Sequence, residues 1–484
     1  MPDTQHQTHR LHLAQQDAQS NPYHLVPFEV PDGTTRIDVQ YEHTSISEPS
    51  GVKNIVDLGL FDPRGSSFLT AKGFRGWSGS ARAQVTIAPS EATPGYLPGP
   101  IYPGTWHVCL GLYQIAPEGC AVTVTVTLSD ASVADEAPPA YVSPGVVRDG
   151  PAWYRGDLHC HSHHSDAQAE VGTLAAVARA QGLDFVAVTD HNTVSHLPAL
   201  ARHSGPDLLL IPGIEITTYR GHANAWGIRR WQEFRATTDA QIRQIRAHVR
   251  EQGALFSINH PKYSGPNWEF DTDADADAVE GWQAPWWFSN YESLAFWENL
   301  LRQGKRPTLV GGSDKHQKAF DGTLGAYELG TPTTWVHAEN LSERAILDGI
   351  GAGHVFVSQG PKGPRLELTA RAGERTAMMG DMLTISDKMA ISDETAASDP
   401  ELISLTCRVW DATPGWMLRV LHQDGEAHRV PIDSPDFCHT WQAAAEDDYW
   451  YVQVIESTQV PLDRDPVALY AFALSNPIYI RIKR

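Results

Sequence analysis

The middle of the chain alternates short apolar runs with helix-like segments. Between residues 152 and 359, runs such as FVAVTD, LFSIN and TLVGGSD are separated by segments such as VGTLAAVARAQG and AQIRQIRAHVREQG. Parallel strands need long crossover connections, which helices usually supply. The alternation therefore predicts an α/β region whose parallel strands form an open sheet or a barrel.

The two ends of the chain have a different pattern. Short β-like runs broken by glycine and proline, such as CAVTVTVTL and ISLTCRVWD, fill residues 22–133 and the chain from residue 363 onward. This pattern is typical of antiparallel sandwiches. Because 484 residues exceed one ordinary core, we expect three domains. They are an N-terminal β-sandwich-like domain over residues 1–150, the α/β region over 151–360 and a C-terminal β-sandwich-like domain over 361–484.

Composition limits the partners of the chain. A formal net charge of −21 argues against binding to duplex nucleic acid or an anionic membrane, since Lys and Arg supply most of that affinity. A small anionic substrate remains compatible, because bound divalent cations reverse the local field. The five cysteines are scattered, the N-terminus is polar, and no run of about 18 apolar residues occurs. These features favour a cytoplasmic protein, and we expect it to act on a small molecule. The oligomeric state has no signature in the sequence.

Residues 155–167, RGDLHCHSHHSDA, concentrate titratable side chains at the end of a strand-like run. Alternation along a strand directs Asp157, His159 and His161 to one face and the residues between them to the other. One face is then a row of metal-type ligands. The alternative is an exposed histidine-rich loop, because a single HxH pattern is weak evidence.

Further ligand-type residues follow the ends of other strand-like runs. They are Asp190, His191, Glu215, His222, His260, Asp314 and His316. Functional groups collect at the carboxyl ends of parallel strands, whereas a lone histidine there is usually a cap or a surface residue. Together these residues favour a site over separate structural roles. Imidazole and carboxylate without thiolate suit Zn²⁺, Mn²⁺ or Fe²⁺.

A family resemblance accounts for the order of these motifs. GDLHCHS…SD, VTDHN, GIE, GHANAWGI, NHP, VEGW and GGSDKH follow one another as in the polymerase-and-histidinol-phosphatase (PHP) metallohydrolase superfamily. Residues 153–364 resemble that superfamily, and they are most similar to its CehA/McbA-type branch. The resemblance implies a distorted (β/α)7 barrel that holds two or three divalent metal ions.

The resemblance also implies how the ligands are shared. A first metal would be bound by His159, His161, Glu215 and Asp314. Glu215 would bridge to a second metal held by His222 and His260. A third would be bound by Asp166, His191 and His316. Two departures concern the third metal: Ala167 stands where the family usually has glycine, and Asp166 where some members use histidine.

The implied activity is hydrolysis of small phosphomonoesters or phosphodiesters through a metal-bridging hydroxide. Lys262, Arg155 and Lys315 are the candidate cations for holding a phosphate, with ordinary surface cations as the alternative. His191 or His316 would protonate the leaving group.

Two other functions are compatible with the sequence. The same metal site would hydrolyse a carbamate, ester or amide, and Trp286 and Trp287 would then wall an apolar pocket. The second alternative is an inactive barrel with glycan-binding flanking domains. The complete set of nine ligand-type residues argues against it.

Overall fold

A computed structural model describes residues 4–70, 72–130, 141–265, 267–271, 275–317, 328–386, 402–457 and 469–483. Within these ranges, no helix is both long and apolar enough to cross a lipid bilayer.

The N-terminal part consists of eight strands and one short helix. They are β1 (Thr4–Leu13), α1 (Gln15–Ser20), β2 (Tyr23–Val30), β3 (Arg36–His43), β4 (Ile55–Phe61), β5 (Phe74–Gly79), β6 (Gln84–Ile87), β7 (Gly104–Gln114) and β8 (Cys120–Ser129). They form two four-stranded antiparallel sheets, ordered β1-β8-β3-β6 and β2-β7-β4-β5. One apolar core contains residues from both sheets, which is compatible with the predicted sandwich.

The middle part consists of nine strands and five helices. They are β9 (Arg148–Cys160), α2 (Val171–Gln181), β10 (Phe185–Val188), α3 (Leu197–His203), β11 (Leu209–Thr218), β12 (Gly221–Trp226), α4 (Asp239–Glu251), β13 (Leu255–Ile258), β14 (Ala278–Gln283), α5 (Asn290–Arg302), β15 (Thr308–Gly312), β16 (Thr333–Leu341), α6 (Glu343–Gly351) and β17 (Val355–Ser358).

The C-terminal part consists of strands alone among the described residues. They are β18 (Arg365–Ala372), β19 (Arg375–Met378), β20 (Met382–Ser386), β21 (Leu402–Trp410), β22 (Met417–His422), β23 (Gly425–Pro431), β24 (Asp436–Ala444), β25 (Asp448–Ile455), β26 (Ala471–Ser475) and β27 (Ile478–Lys483).

Local sequence explains the type of each element. β10, FVAV, is buried on both faces, as expected for a strand inside a parallel sheet. In β8, CAVTVTVTLS, buried and partly exposed residues alternate, which fits a sheet with one solvated face. Helix α4 begins at Thr238, whose hydroxyl accepts a hydrogen bond from the Gln241 amide, and it buries one apolar side against the sheet.

The strands of the middle part lie in the order β15-β14-β13-β12-β11-β10-β9. Neighbours are parallel except that β12 runs antiparallel to both β11 and β13. The turn between β11 and β12 contains only Tyr219 and Arg220, too few residues for a parallel crossover. The strands therefore do not repeat a uniform β/α unit.

The predicted (β/α)7 barrel is not confirmed, because no continuous ladder joins β15 to β9 among the described strands. Just after β15, however, the Asp314 amide donates to the His159 carbonyl at 2.8 Å, and the His161 amide donates to the Lys315 carbonyl at 3.1 Å. The two edges of this run of strands therefore meet at the end that carries the candidate ligands.

The large sheet crosses the predicted boundary at residue 360. Strand β16 pairs with β9 and β17, and β17 pairs with β26, after which the sheet continues through β25, β22 and β23. A separate four-stranded sheet, β19-β18-β21-β24, shares an apolar core with this extension. One sheet of the predicted C-terminal sandwich is therefore continuous with the large sheet of the middle part.

The apolar core also crosses the predicted boundary at residue 150. The ring of Phe74 stacks on Trp231 with centroids 4.1 Å apart, and Trp77 lies 4.7 Å from Phe234. Aromatic side chains bury roughly 150–250 Å² each, and burial is worth about 25 cal/mol per Å². Burial of each such ring on folding is therefore worth a few kcal/mol, and the contact between the two parts supplies a share of it.

Candidate metal centre

All nine predicted ligands converge at one end of the central strands. Three groups have ligand atoms within 4.8 Å of one another: His159, His161 and Asp314; His159, Glu215 and His260; and His161, Asp166, His191 and His316. The predicted and observed groupings differ in that His159 is shared by two groups and His161 joins the third. His222 is attached to the second group through Glu215.

The first group is built on the end of β9. His159 and His161 direct their Nε2 atoms to one point, 3.1 Å apart. The Oδ1 atom of Asp314 lies 3.0 Å from His161 Nε2 and 3.3 Å from His159 Nε2. Ligands about 2.0–2.2 Å from one ion lie roughly 3–3.5 Å from each other. The three donors therefore fit a single divalent ion.

Glu215, in the second half of β11, links the groups. Its Oε1 atom lies 3.3 Å from His222 Nδ1, 3.4 Å from His260 Nε2 and 3.4 Å from His159 Nε2. The Asn259 amide also donates to Oε1, at 2.9 Å. The other oxygen, Oε2, lies 2.8 Å from His191 Nδ1. Both carboxylate oxygens thus face imidazoles, as a bridging ligand requires.

The third group is the most exposed. Asp166 Oδ1 lies 3.3 Å from His316 Nε2 and 3.6 Å from His191 Nε2, and its side chain is 47% exposed. The ring of His161 packs against both imidazoles, with its centroid 4.3 Å from His191 and 4.1 Å from His316, while those two rings are 5.7 Å apart. This group lies at the mouth of the site and the other two lie below it.

The electrostatics of the centre favour bound cations. Burial alone would raise the pKa values of Glu215 and Asp314, but the surrounding imidazoles hold both well below their usual range. Burial lowers the pKa of His161 to about 4, helped by the neighbouring histidines. Burial also opposes protonation of His191, but Glu215 and Asp166 raise its pKa to about 9. Ionised carboxylates packed against imidazoles in this way form a donor set that fits divalent metal ions.

Glu280, on β14, is a functional residue that sequence reasoning missed. Its Oε1 atom lies 2.9 Å from His159 Nδ1, and its Oε2 atom accepts a hydrogen bond from the His260 amide at 3.1 Å. Gly312 lies directly opposite, and an added Cβ would overlap both His159 and Glu280. A signal was present, because the carboxylate lies inside the apolar run AVEGWQ and a buried charge needs a partner.

Two aspartates of the sequence pattern have structural roles instead. Asp157 accepts hydrogen bonds from the amides of His159, Ser313 and Gly330 at 2.7–3.0 Å. Asp190 accepts hydrogen bonds from the Ser162 and Ser165 hydroxyls, both at 2.6 Å. These carboxylates fix the backbone around the ligands.

Lys262 lies at the edge of the first group. Its side chain is buried, and its Nζ atom donates to Gln283 Oε1 at 2.7 Å. The amide of Gln283 in turn donates to Asp314 Oδ2 at 2.9 Å. Burial lowers the pKa of Lys262 to about 8, against the effect of Glu280 and Asp314. The lysine thus reaches the ligands through one intervening amide.

The role of Arg155 in holding a phosphate stays a prediction, and its guanidinium contacts backbone carbonyls. Its Nε atom donates to the Gly182 carbonyl at 2.6 Å and its Nη1 atom to the Pro361 carbonyl at 3.1 Å. Arg155 lies on β9 four residues before His159, so the strand carries its side chain away from the carboxyl end. Lys315 is buried next to Asp314.

The two tryptophans differ in their surroundings. Trp286 is buried, donates from its indole to the Leu469 carbonyl at 2.9 Å and meets Trp282 edge-on at 4.9 Å. Packing against the C-terminal part thus occupies its ring, and its role as the wall of a substrate pocket stays a prediction. Trp287 is 54% exposed, with Tyr470 6.5 Å away.

Comparison with known families identifies the core of this site. Residues 157–255 match the model of the PHP domain. This part of the chain, about a fifth of its length, is similar to the PHP domain family. Six of the predicted ligands lie within the match: His159, His161, Asp166, His191, Glu215 and His222. The other three, His260, Asp314 and His316, lie beyond it. The predicted resemblance to the PHP superfamily is confirmed.

Solved structures give weaker similarities. A two-domain protein from Bacteroides vulgatus containing a predicted PHP-like metal-dependent phosphoesterase is 16% identical, with 70% of this chain and 99% of that chain covered and a TM-score of 0.38. A proposed metal-dependent phosphoesterase from Bifidobacterium adolescentis is 18% identical (40% and 95% covered, TM-score 0.28). An amidohydrolase from Chromobacterium violaceum is 15% identical (36% and 91% covered, TM-score 0.24). These TM-scores support no statement about chemistry, and no curated protein matches the sequence.

Proposed function

We propose that the chain is a metal-dependent hydrolase of the CehA/McbA-type branch of the PHP superfamily, acting on small phosphomonoesters or phosphodiesters. The convergence of nine imidazole and carboxylate side chains at one end of the central strands, six of them within the residues similar to the PHP domain, carries the proposal. These residues would hold two or three divalent ions, either Zn²⁺, Mn²⁺ or Fe²⁺. When bound, the ions would supply Lewis acidity and lower the pKa of water.

The residues around the ligands have distinct roles in this reaction. Lys262, beside Asp314 and Gln283, provides a positive charge for the non-bridging oxygens of a phosphoryl group. His191 and His316, in the most exposed ligand group, are placed to give a proton to the leaving oxygen. Glu280 holds His159 in the tautomer that leaves Nε2 free to bind.

Carbamate or ester hydrolysis is the less favoured alternative. It relied on an apolar wall made by Trp286 and Trp287, and Trp286 is instead packed against the C-terminal part. A buried cation next to the ligands favours a substrate with several anionic oxygens over one with a single carbonyl. We therefore place phosphate esters first.

Elemental analysis and an ester panel on one preparation of the full chain test the proposal. We expect two or more transition-metal ions per chain, and turnover of p-nitrophenyl phosphate or its diester that a chelator abolishes and metal restores. His159→Ala should lose metal and activity, whereas His248→Ala, on the outer helix α4, should lose neither. Activity that survives in metal-free protein would contradict the proposal. Faster cleavage of an aryl carbamate would keep the metal centre and change the substrate.

A further inference from the structure

A cavity of about 380 Å³ lies between the N-terminal sheets and the metal centre. Three candidate ligands, Asp166, His191 and His222, line one side of it. The other side is formed by the N-terminal part, through Asp57, residues 78–81 and Tyr113. We call this space the interdomain cavity. Its volume is at the small end of the range for ligand pockets, which suits one ring or a short polyol.

The two walls of the interdomain cavity are fixed to each other by Tyr219. This residue lies in the turn between β11, which carries Glu215, and β12, which carries His222. Its hydroxyl donates to Asp57 Oδ2 at 2.8 Å, and its ring stacks on Tyr23 at 5.2 Å. The N-terminal wall is therefore held at a set distance from the ligands, as a substrate subsite requires.

The N-terminal wall of the cavity carries an acidic side chain and hydroxyl groups. Asp57 is that acidic side chain, and none of the described residues that line the cavity is Lys or Arg, while the opposite wall carries Asp166, His191 and His222 of the ligand groups. Ser78, Ser80 and Thr217 add hydroxyls. A carboxylate placed against the N-terminal wall, away from the ligand groups, would meet Asp57 and no Lys or Arg, whereas an uncharged alcohol would find acceptors and donors there.

The two ends of the site carry different side chains. Lys262 reaches the first ligand group through Gln283 and is not among the described residues lining the cavity. Asp166 and His191, in the third ligand group, line the cavity directly. In this arrangement the phosphoryl oxygens of a phosphate ester would lie at the metal ligands on the side of Lys262, and its alcohol would lie in the interdomain cavity.

We propose that the interdomain cavity is a leaving-group subsite that selects phosphate esters whose alcohol is small and uncharged. This inference rests on the proposed phosphoesterase function and adds its substrate class. It assigns the N-terminal part a direct role in specificity, although every predicted ligand lies in residues 151–360. The rim residue Ala81, which is exposed, provides a place to reverse the local charge without changing a ligand.

Two esters of the same size test the subsite on the metal-loaded full chain. They are 4-(hydroxymethyl)phenyl phosphate and 4-carboxyphenyl phosphate, with released phosphate measured for each. We expect kcat/KM for the uncharged ester to exceed that for the carboxylate by about fivefold, the upper worth of one exposed charge interaction. Ala81→Lys should remove most of this preference. Ala247→Lys, which adds the same charge on the exposed side of α4, should keep it.

The outcomes separate the subsite from the function. If neither ester is hydrolysed by metal-loaded protein, the phosphoesterase function is wrong and the subsite falls with it. If both are hydrolysed equally well, the function stands and the subsite is wrong. A preference that Ala81→Lys leaves unchanged places selection outside the cavity and also overturns the subsite.

Discussion

Replacing Glu280 by glutamine tests how the metal centre is held together. The carboxylate makes two contacts that both need an acceptor: Oε1 faces His159 Nδ1 at 2.9 Å, and Oε2 accepts from the His260 amide at 3.1 Å. Glutamine has one oxygen and one NH₂ group. Whichever way the amide turns, it presents N–H to a position where a donor already points.

The size of the effect follows from this mismatch. When His159 Nε2 binds a metal, Nδ1 carries the proton and needs an acceptor. Losing a carboxylate behind a ligating histidine typically weakens metal binding by about 10–100-fold, or roughly 1.4–2.8 kcal/mol. Glu280 also positions the backbone of His260, another candidate ligand. We therefore expect a loss toward the upper end of that range for the tightest ion.

The assay is a competition titration of apo protein with Zn²⁺ or Mn²⁺ against a chromogenic chelator. Glu280→Gln should show the weakened affinity while its far-ultraviolet circular dichroism matches the unmodified chain. Glu367→Gln, which makes the same chemical change on the distant strand β18, should bind metal as before. Equal affinities for the Glu280→Gln variant and the unmodified chain, within twofold, would refute the role given to Glu280.

Three further substitutions test other parts of the site. Lys262→Ala should slow phosphate turnover by roughly 10–100-fold and carbamate turnover much less, because only the phosphoryl group needs the extra cation. Arg82→Ala removes hydrogen bonds of 2.5 and 2.7 Å to the loop before Asp166. It should weaken binding of the most exposed ion by about tenfold in the same titration. Gly111→Ala should destabilise the chain to urea by about 1–3 kcal/mol, because an added Cβ would overlap the Tyr219 hydroxyl.

Each of these predictions has a matched control. Lys262→Met keeps an apolar stem, so loss of activity there isolates the charge from the packing. Arg82→Lys retains one donor and should recover part of the metal affinity; an Arg82→Ala variant that binds every ion normally would contradict the prediction. Gly351→Ala, on α6, places its Cβ 3.9 Å from the nearest atom and should be neutral. Equal stabilities of the two alanine variants would remove the steric explanation.

The ligands could be predicted because their signal is local. An apolar run followed by a histidine or carboxylate marks the carboxyl end of a buried strand, and such ends meet at one edge of a sheet. The direction of β12 also had a local signal, because the connection before Gly221 is too short for a parallel crossover and allows only a hairpin. Gly221 has a φ of 140°, which glycine adopts readily. The expectation of a uniform barrel followed the family resemblance rather than this turn.

Other features depend on contacts between distant parts of the chain. The pairing of β17 with β26 joins Phe356 to Ser475, and no periodicity in either strand specifies its partner. Arg155 has the charge expected of a phosphate ligand, but its guanidinium bonds to the backbone carbonyls of Gly182 and Pro361, which lie far from it in the sequence. The two domain boundaries, the metal identity and the cytoplasmic location stay predictions.

The positions of the ligands and the shape of the site therefore have different origins in the chain. Every predicted ligand lies in residues 151–360, yet the turn between Glu215 and His222 is docked by Tyr219 onto the N-terminal sheets. The loop before Asp166 is held by Arg82 of the same sheets. Because a ligand displaced by about 1 Å can cost two orders of magnitude in rate, these contacts belong to the active centre as much as the ligands do. Changes in the N-terminal part should accordingly act on specificity and on the most exposed ion first, since the first ligand group is anchored by Glu280 within the middle part itself.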